Sequence, residues 1–519
     1  MKKVLLTLAA MALTAASASA AANVYASALK AENGKISCVL NDAAEKVVLN
    51  LVKDGAIVKS VDLGAGVKGA NTFDMPAAEV EPGTYNWSLT ASAAAVTELT
   101  QFANGATEAL QLSSARGIAV DVSPVSPKFG TVYAVSPGSP RNEGARVATG
   151  LYIFNAALEA VNETPYTGGI EWAESPSSPN NVDVASNGQV FVCDWSDGAT
   201  GGVFYFDPEA PDQNWKDVFA AGERDLTSSL VKVGDVKVHG SCQDVLVVGS
   251  GADRKLYTDD EDINGGNGDI FIYNIGELAT PWDAAPSATW GGNTTGMTAN
   301  GNHRLESDAR GGVWTSQYRW AEAEAFPCLF HVNANGEWDF KTGDKSIVEG
   351  NGPAAALAVS VDGNLLAIPD GSNKCNLTIA KATYNEAGTP TLEKLHEIKV
   401  ENMGNRPMSA AFDAAGNVYV VYNDANELGG IAAWACPKEV NEFTTPALGT
   451  VTVENSGVWN AVVATPVSFS AGVITAAEGA EVFNAMGVKV AEGTEISTEN
   501  LAGGVYIVRA GKASLKIVK

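Results

Sequence analysis

Histidine is scarce in this chain. Four occur in 519 residues, His239, His303, His331 and His396, and none shows the His-Glu-x-x-His or other paired spacing of a metalloprotease centre. The Gly-x-Ser-x-Gly elbow of serine hydrolases and the Gly-Lys phosphate loop are also missing, so no catalytic residue is assigned. Basic residues are few: 34 Lys and Arg against 60 Asp and Glu leave a net charge of -26. Such a field repels nucleic-acid phosphates and anionic lipid, which excludes nucleic acid as a partner class. No apolar run reaches the roughly 18 residues of a membrane-spanning helix, so no transmembrane segment is expected. The six cysteines, Cys38, Cys193, Cys242, Cys328, Cys375 and Cys436, form no Cys-x-x-Cys pair and sit beside apolar strand residues. They are expected to be buried free thiols.

What the chain does have is glycine, 53 residues of it, and a 45% hydrophobic content against 18% charge. Short strands joined by turns fit that balance, and the length calls for several cores. The fold class expected is all-β. At the amino end Lys2 and Lys3 precede an apolar run from Val4 to Ala15, and Ala18-Ser19-Ala20 fits a small-residue cleavage site. Residues 1–20 therefore read as a signal peptide, and the mature chain as exported, secreted or held at the outer surface.

The middle of the chain is organised by a repeat. In Ser178 to Asp207 apolar residues alternate through Val182 and Val184, turn at Asn187-Gly188, and resume in Val190-Phe191-Val192 and Val203-Phe204-Tyr205-Phe206. Altered copies align Val120, Val184, Val238, Ser307, Val359 and Phe412, spaced 64, 54, 69, 52 and 53 residues apart. Six such units, none able to bury its own faces, predict a six-bladed β-propeller over 96–440. The sixth unit lacks an outer strand after Ile431 to Ala435, and Thr97 to Phe102 is expected to supply it, closing the ring.

The stretch Pro179-Asn180-Asn181-Val182-Asp183-Val184 and its Gly-Gly-Val-Phe-Tyr-Phe-Asp sequel resemble the NHL-type and senescence-marker/gluconolactonase-type propellers. The resemblance implies, for the lactonases among them, a divalent metal held in the channel by a Glu, two Asn and an Asp. Asn180 or Asn181 stands where a family Asn would, and Glu306 or Asp235 would supply the acids. The fifth and sixth units carry Ala356, Ala358, Ser409 and Ala411 at the equivalent places. Residues 21–95, with Asp54-Gly55 between two strands and a Pro82-Gly83-Thr84-Tyr85 entry to a last one, resemble the Ig-like domain of flagellar hook-capping proteins. Inside them Gly64-x-Gly66-x-x-Gly69 satisfies the dinucleotide fingerprint but opens no helix, so no nucleotide site is read there. Residues 441–519 end in Leu501-Ala502-Gly503-Gly504-Val505-Tyr506-Ile507-Val508 and a basic Lys516-Ile517-Val518-Lys519. They are similar to the C-terminal sorting domain of type IX secretion substrates in Bacteroidetes. This implies a second small β-sandwich and a partner in the secretion machinery.

Starts of the inner strands offer a polar arc for ligand: Arg116, Asn180, Asn181, Asp183, Asp235, Lys237, Arg304 and Glu306. Trp282 and Trp290, in the long connection before Arg304, are candidates for stacking on sugar faces. The loop Asp259 to Asp269 alternates Asp260, Asp262 and Asn264 before Gly265, with Asp269 to close the shell, which fits a structural Ca2+ site. The chain reads as a non-enzymatic, surface-displayed protein binding a glycan or extracellular protein at the channel mouth. The alternatives are a metal-dependent propeller hydrolase, lactonase or lyase using Asn181, Asp235 and Glu306, and a structural surface component.

Overall fold

In a computed structural model, the structure describes residues 21–75, 80–105, 107–138, 146–175, 177–196, 202–220, 223–224, 231–233, 236–260, 269–278, 285–291, 302–317, 329–342, 356–369, 376–399, 406–423, 428–454, 459–462, 467–470, 473–484, 489–498, 500–501, 505–510 and 513–518. Among these no α-helix occurs, as the glycine-rich, alternating sequence requires.

Blade two shows why the repeat folds as it does. Its strands Asn181–Val184, Val190–Asp194, Gly202–Phe206 and Lys216–Asp217 pair antiparallel in chain order. Alternate side chains leave by opposite faces. Val190, Val192, Phe204 and Phe206 pack against Tyr133, Val135, Leu151 and Ile153 of blade one. Phe191, Cys193, Val203 and Tyr205 pack against Cys242, Val245, Leu256 and Phe271 of blade three. Both faces of the sheet are therefore inside, which is why Val190 to Cys193 is unbrokenly apolar.

The same division continues around the ring. Leu246 and Tyr257 meet Leu305 and Val313 between blades three and four. Trp314 and Leu329 meet Leu366 and Ile368 between four and five, and Leu377 and Ile379 meet Val418 and Val420 between five and six. Tyr419 and Val421 then meet Ile118, Val132 and Tyr152 of blade one. Six interfaces join six sheets and the last returns to the first. The molecule's centre is a closed six-bladed β-propeller.

Closure comes from the amino-terminal side, as the missing outer strand predicts. Thr100–Ala103 pairs with Leu428–Ala435 of blade six, and Gln111–Ser113 continues along the same strand. Blade three departs from the expected register. Its inner strand is Cys242–Val248, followed by Lys255–Asp260, Ile270–Asn274 and Ala288–Trp290. The segment Val236–His239, read as the inner strand, instead pairs with Val231–Val233 in a separate three-stranded sheet completed by Glu223–Arg224. The inner place goes to the strand that can bond to both neighbours, and Asp244 does so.

The flanking units also differ from expectation. One three-stranded sheet (Ala26–Glu32, Lys35–Leu40, Gly69–Asp74) faces a five-stranded one. Ile36, Cys38 and Leu40 of the first interlock with Val47, Leu49, Trp87 and Leu89 of the second. Two strands of the five-stranded sheet, Asn441–Val453 and Trp459–Val462, come from beyond the propeller, the first pairing with Gly83–Ala93. The boundary expected at 440/441 is therefore corrected: residues 441–462 complete the N-terminal sandwich. Val451 and Val453 enter its core and supply the reason. The propeller is an insertion between two paired strands. What remains at the carboxy end, 467–518, is one five-stranded antiparallel sheet among the described residues, not two. It curls so that Val467–Ser470 approaches Ala513–Val518, enclosing Ile474, Val482, Val508 and Ile517.

Sandwich and propeller are fastened by the first described residues. Ala22, Asn23, Val24 and Tyr25 are fully buried, and three asparagine side chains satisfy their backbone. Asn417 of blade six accepts from Asn23 N at 2.8 Å and donates to its carbonyl at 2.9 Å. Asn441 accepts from Val24 N at 2.8 Å and donates to the Ala22 carbonyl at 3.0 Å. Asn41 accepts from Tyr25 N at 2.8 Å and donates to the Asn23 carbonyl at 2.9 Å. Leaving such buried groups without partners costs roughly 1–3 kcal/mol each. Asn417→Ala should accordingly lower stability by about 2–4 kcal/mol in chemical denaturation, whereas an Asn→Ala change at exposed Asn335 should cost little.

Candidate functional site

The propeller channel is crossed by a network of inner-strand side chains. Asp244 of blade three accepts from the Asn181 carboxamide of blade two through one carboxylate oxygen and from Leu305 N of blade four, at 2.5 Å, through the other. Ser409 of blade six donates to Asn181 Oδ1 at 3.5 Å. Arg304, 2% exposed, donates Nε to the Met408 carbonyl at 3.2 Å and Nη2 to the Arg116 carbonyl at 2.7 Å. The guanidinium thus reaches blades six and one from blade four. Gly117 makes room for the close approach: a side chain there would meet Asn181. Burial pushes the Asp244 carboxyl up to about 6 while the Arg304 charge pulls the other way.

Beyond this crossing lies a cavity of about 460 Å³. Val120, Val184, Val247 and Val359 form apolar wall, Ser123, Ser186, Ser307 and Ser360 polar wall, and Asp183 and Glu306 contribute carboxyls. Asp183 accepts from Val247 N at 2.6 Å. Burial pushes it up to about 6, against the backbone N–H groups of Val247 and Val184. The Glu306 carboxyl is held well above the usual range, by burial first, then by Asp183 and Asp244, with Arg304 opposing. No hydrogen-bond partner of that carboxyl is found among the described residues, so it faces the cavity free.

The sequence-predicted residues divide accordingly. Asn181, Asp183, Arg304 and Glu306 come together at the channel, and Arg116 joins through its carbonyl. Asn180 turns away and donates to the Gln243 carbonyl. Lys237 belongs to the small separate sheet, opposite Lys232, and is no channel residue; Asp235 lies outside the described residues. Trp290 is corrected from ligand platform to packing. It sits on the outermost strand of blade three, 5.7 Å from Tyr257 ring to ring and against Gly336 of blade four, because an outer strand points its side chains between blades and not at the channel. Trp282 lies outside the described residues.

Of the calcium set, Asp262 and Asn264 lie outside the described residues. Asp260 and Asp269 are buried, and Asp260 Oδ2 already accepts from Gly240 N at 2.6 Å beside His239. Four cysteines, Cys38, Cys193, Cys242 and Cys436, are buried free thiols as expected. Cys328 and Cys375 lie outside the described residues.

The residue that sequence reasoning missed is Asp244. Equal steps from Val120 to Val184 and from Val184 to Val248 mark it as the blade-three counterpart of Asn180. Alignment on Val238 hid that signal. The lactonase donor set does not fit what stands here. Asn181 and both Asp244 oxygens are already bonded to protein, the last two blades offer Ser409 and small side chains, and Arg304 places a fixed positive charge among them. A guanidinium occupies electrostatically the role a channel cation would have.

No family model matches the chain, and no curated protein does. Solved structures do. A Bacteroides thetaiotaomicron protein of unknown function is 13% identical, covering 79% of this chain and 98% of its own, with a TM-score of 0.36. A Xanthomonas campestris gluconolactonase is 10% identical, covering 67% and 98%, at 0.36. The periplasmic gluconolactonase of Pseudomonas aeruginosa is 16% identical, covering 78% and 100%, at 0.35. It is the chain's own sheet order and closed ring of blade interfaces that make its centre a β-propeller. Its channel chemistry has to be read from its own residues.

Two outcomes follow from the buried polar groups. Arg304→Met leaves Asp244 buried without its countercharge and should destabilise the full chain by about 3–5 kcal/mol. Arg304→Lys should recover little, because one ammonium cannot span two carbonyls on different blades. The second concerns pH. Asp121, Asp183, Asp244 and Asp413 ionise at about 6 when folded and near 4 when unfolded. The folded chain holds these protons more tightly, so stability falls as pH rises from about 4 through 6. The thermal midpoint should be lower at pH 7.5 than at pH 4.5, and Asp183→Asn should lessen the difference.

Proposed function

We propose that the protein is an exported, surface-displayed binding protein whose propeller takes a glycan or an extracellular protein at its channel mouth. The observation that carries this reading is the division of the channel: an Arg304–Asp244–Asn181 crossing fully occupied by protein partners, beside an open cavity whose Glu306 carboxyl is unengaged. Carboxyls and serine hydroxyls on an apolar wall suit sugar hydroxyls or the polar tip of a peptide side chain. The leader-like residues 1–20 and the sorting-like carboxy end support surface display, with the secretion machinery as a partner.

Glycan-array screening followed by titration tests the reading. Glu306→Gln should weaken the bound glycan at least tenfold with the unfolding midpoint retained, and unchanged affinity would remove Glu306 from the site and the reading with it. A second reading, a propeller hydrolase or lactonase, draws support from Glu306 itself, a carboxyl that burial holds above its usual range at the wall of an open cavity. Turnover of an aldonolactone that Glu306→Gln abolishes would put hydrolysis in place of binding. We also propose structural Ca2+ in the loop from Asp259 to Asp269. Calorimetry should show binding that Asp262→Asn removes, and an absence of heat with the unaltered chain would end that proposal.

A further inference from the structure

The leader reading and the asparagine clamp converge on one peptide bond. From the sequence side, Ala18-Ser19-Ala20 presents small residues before the bond to Ala21. From the structural side, burial begins one residue after it: Ala21 is partly exposed, while Ala22 through Tyr25 are inside. A cut after Ala22 or later would remove groups the clamp holds, beginning with the Ala22 carbonyl that Asn441 donates to. At the same point a carboxylate stands ready. Asp42 Oδ2 accepts from Ala21 N at 2.9 Å and from Ala22 N at 3.0 Å, and its Oδ1 accepts from Ala43 N at 2.8 Å.

We infer that the chain is processed between Ala20 and Ala21, and that the α-ammonium so created ion-pairs with Asp42 and locks the amino end into the clamp. A leader peptidase supplies the catalyst and water the co-reactant. The Ala20–Ala21 amide C–N bond breaks, the Ala20 carbonyl carbon gains the hydroxyl and departs as a carboxylate, and the Ala21 nitrogen takes up protons to become an ammonium. That nitrogen already lies at hydrogen-bond distance from Asp42 Oδ2, so cleavage places a full positive charge on the donor opposite a preformed acceptor and strengthens the bond. Processing is thereby coupled to the stability of the junction between sandwich and propeller. The inference rests on the export reading for the cut, and on geometry alone for the ion pair.

The two halves are tested separately. Amino-terminal sequencing and intact mass of the exported protein should give Ala21 as the first residue; a start at any other residue overturns the cut site. For the ion pair, the chain 21–519 is released from a removable fusion with Ala21 as its true first residue, and compared with the same chain carrying Gly-Ser before Ala21. Each is also made with Asp42→Asn. The free-terminus protein should unfold about 1–3 °C higher than the extended one, and Asp42→Asn should abolish that difference. Equal midpoints for the free and extended chains, or a difference that persists in Asp42→Asn, would overturn the ion pair.

Discussion

The arrangement depends on a few asparagine side chains that hold an extended backbone as if they were a neighbouring strand. Asn41, Asn417 and Asn441 belong to the sandwich, to blade six and to the strand that returns from the propeller. Each offers the segment Ala22–Tyr25 one acceptor and one donor, the same pair a β-ladder would supply. A carboxamide can do this and a carboxylate cannot, since the latter only accepts. Two separately folded parts, the sandwich through Asn41 and Asn441 and the propeller through Asn417, therefore share one buried segment. Behind the clamp, Asp413 accepts from the Asn417 carboxamide at 2.6 Å and from Tyr419 at 3.1 Å, and the Tyr25, Phe129 and Phe443 rings fill the space beside it.

Polar groups thus work in two different ways in this molecule. At the clamp and at the channel crossing every donor named has an acceptor in another part of the chain, and the groups specify which parts meet. In the cavity beyond the crossing, Glu306 has no such obligation, and burial holds its carboxyl well above the usual range. Blade four gives another case of the first kind. His331 lies fully buried between Asp339 at 2.6 Å and Asp308 at 3.1 Å, beside Trp314 and Tyr384. Its place in the sequence, in the apolar run Leu329-Phe330-His331-Val332, signals burial and nothing of its partners.

Much of the fold was legible because a propeller writes one pattern repeatedly. Val182, Val184, Val190 and Val192 alternate, Asn187-Gly188 turns, and a missing outer strand in the last unit points to the amino end for its replacement. Where the reading slipped, two segments competed for one pattern. Val236–His239 and Cys242–Val248 both look like an inner strand locally, and only the long-range bonds of Asp244 to Asn181 and Leu305 decide between them. The same holds for Asn441–Val453: its Thr and Val alternation is visible, but its partner strand lies some 350 residues earlier, beyond the reach of any local signal. The channel was half legible. Asn181, Asp183, Arg304 and Glu306 could be nominated by position, yet which of them bond to protein and which face open space depends on six inner strands meeting at once.

The insertion of the propeller between Gly83–Ala93 and Asn441–Val453 has a mechanical consequence. These two strands lie side by side in one sheet, so the chain enters and leaves the propeller at a single seam. Tension applied between the carboxy-terminal sheet and the amino end would pass along Asn441–Val453 into Gly83–Ala93 and the clamp, shearing their hydrogen bonds together. The blades hang outside that load path except at Asn417, where blade six holds the clamp, so the seam and the clamp bear the strain first.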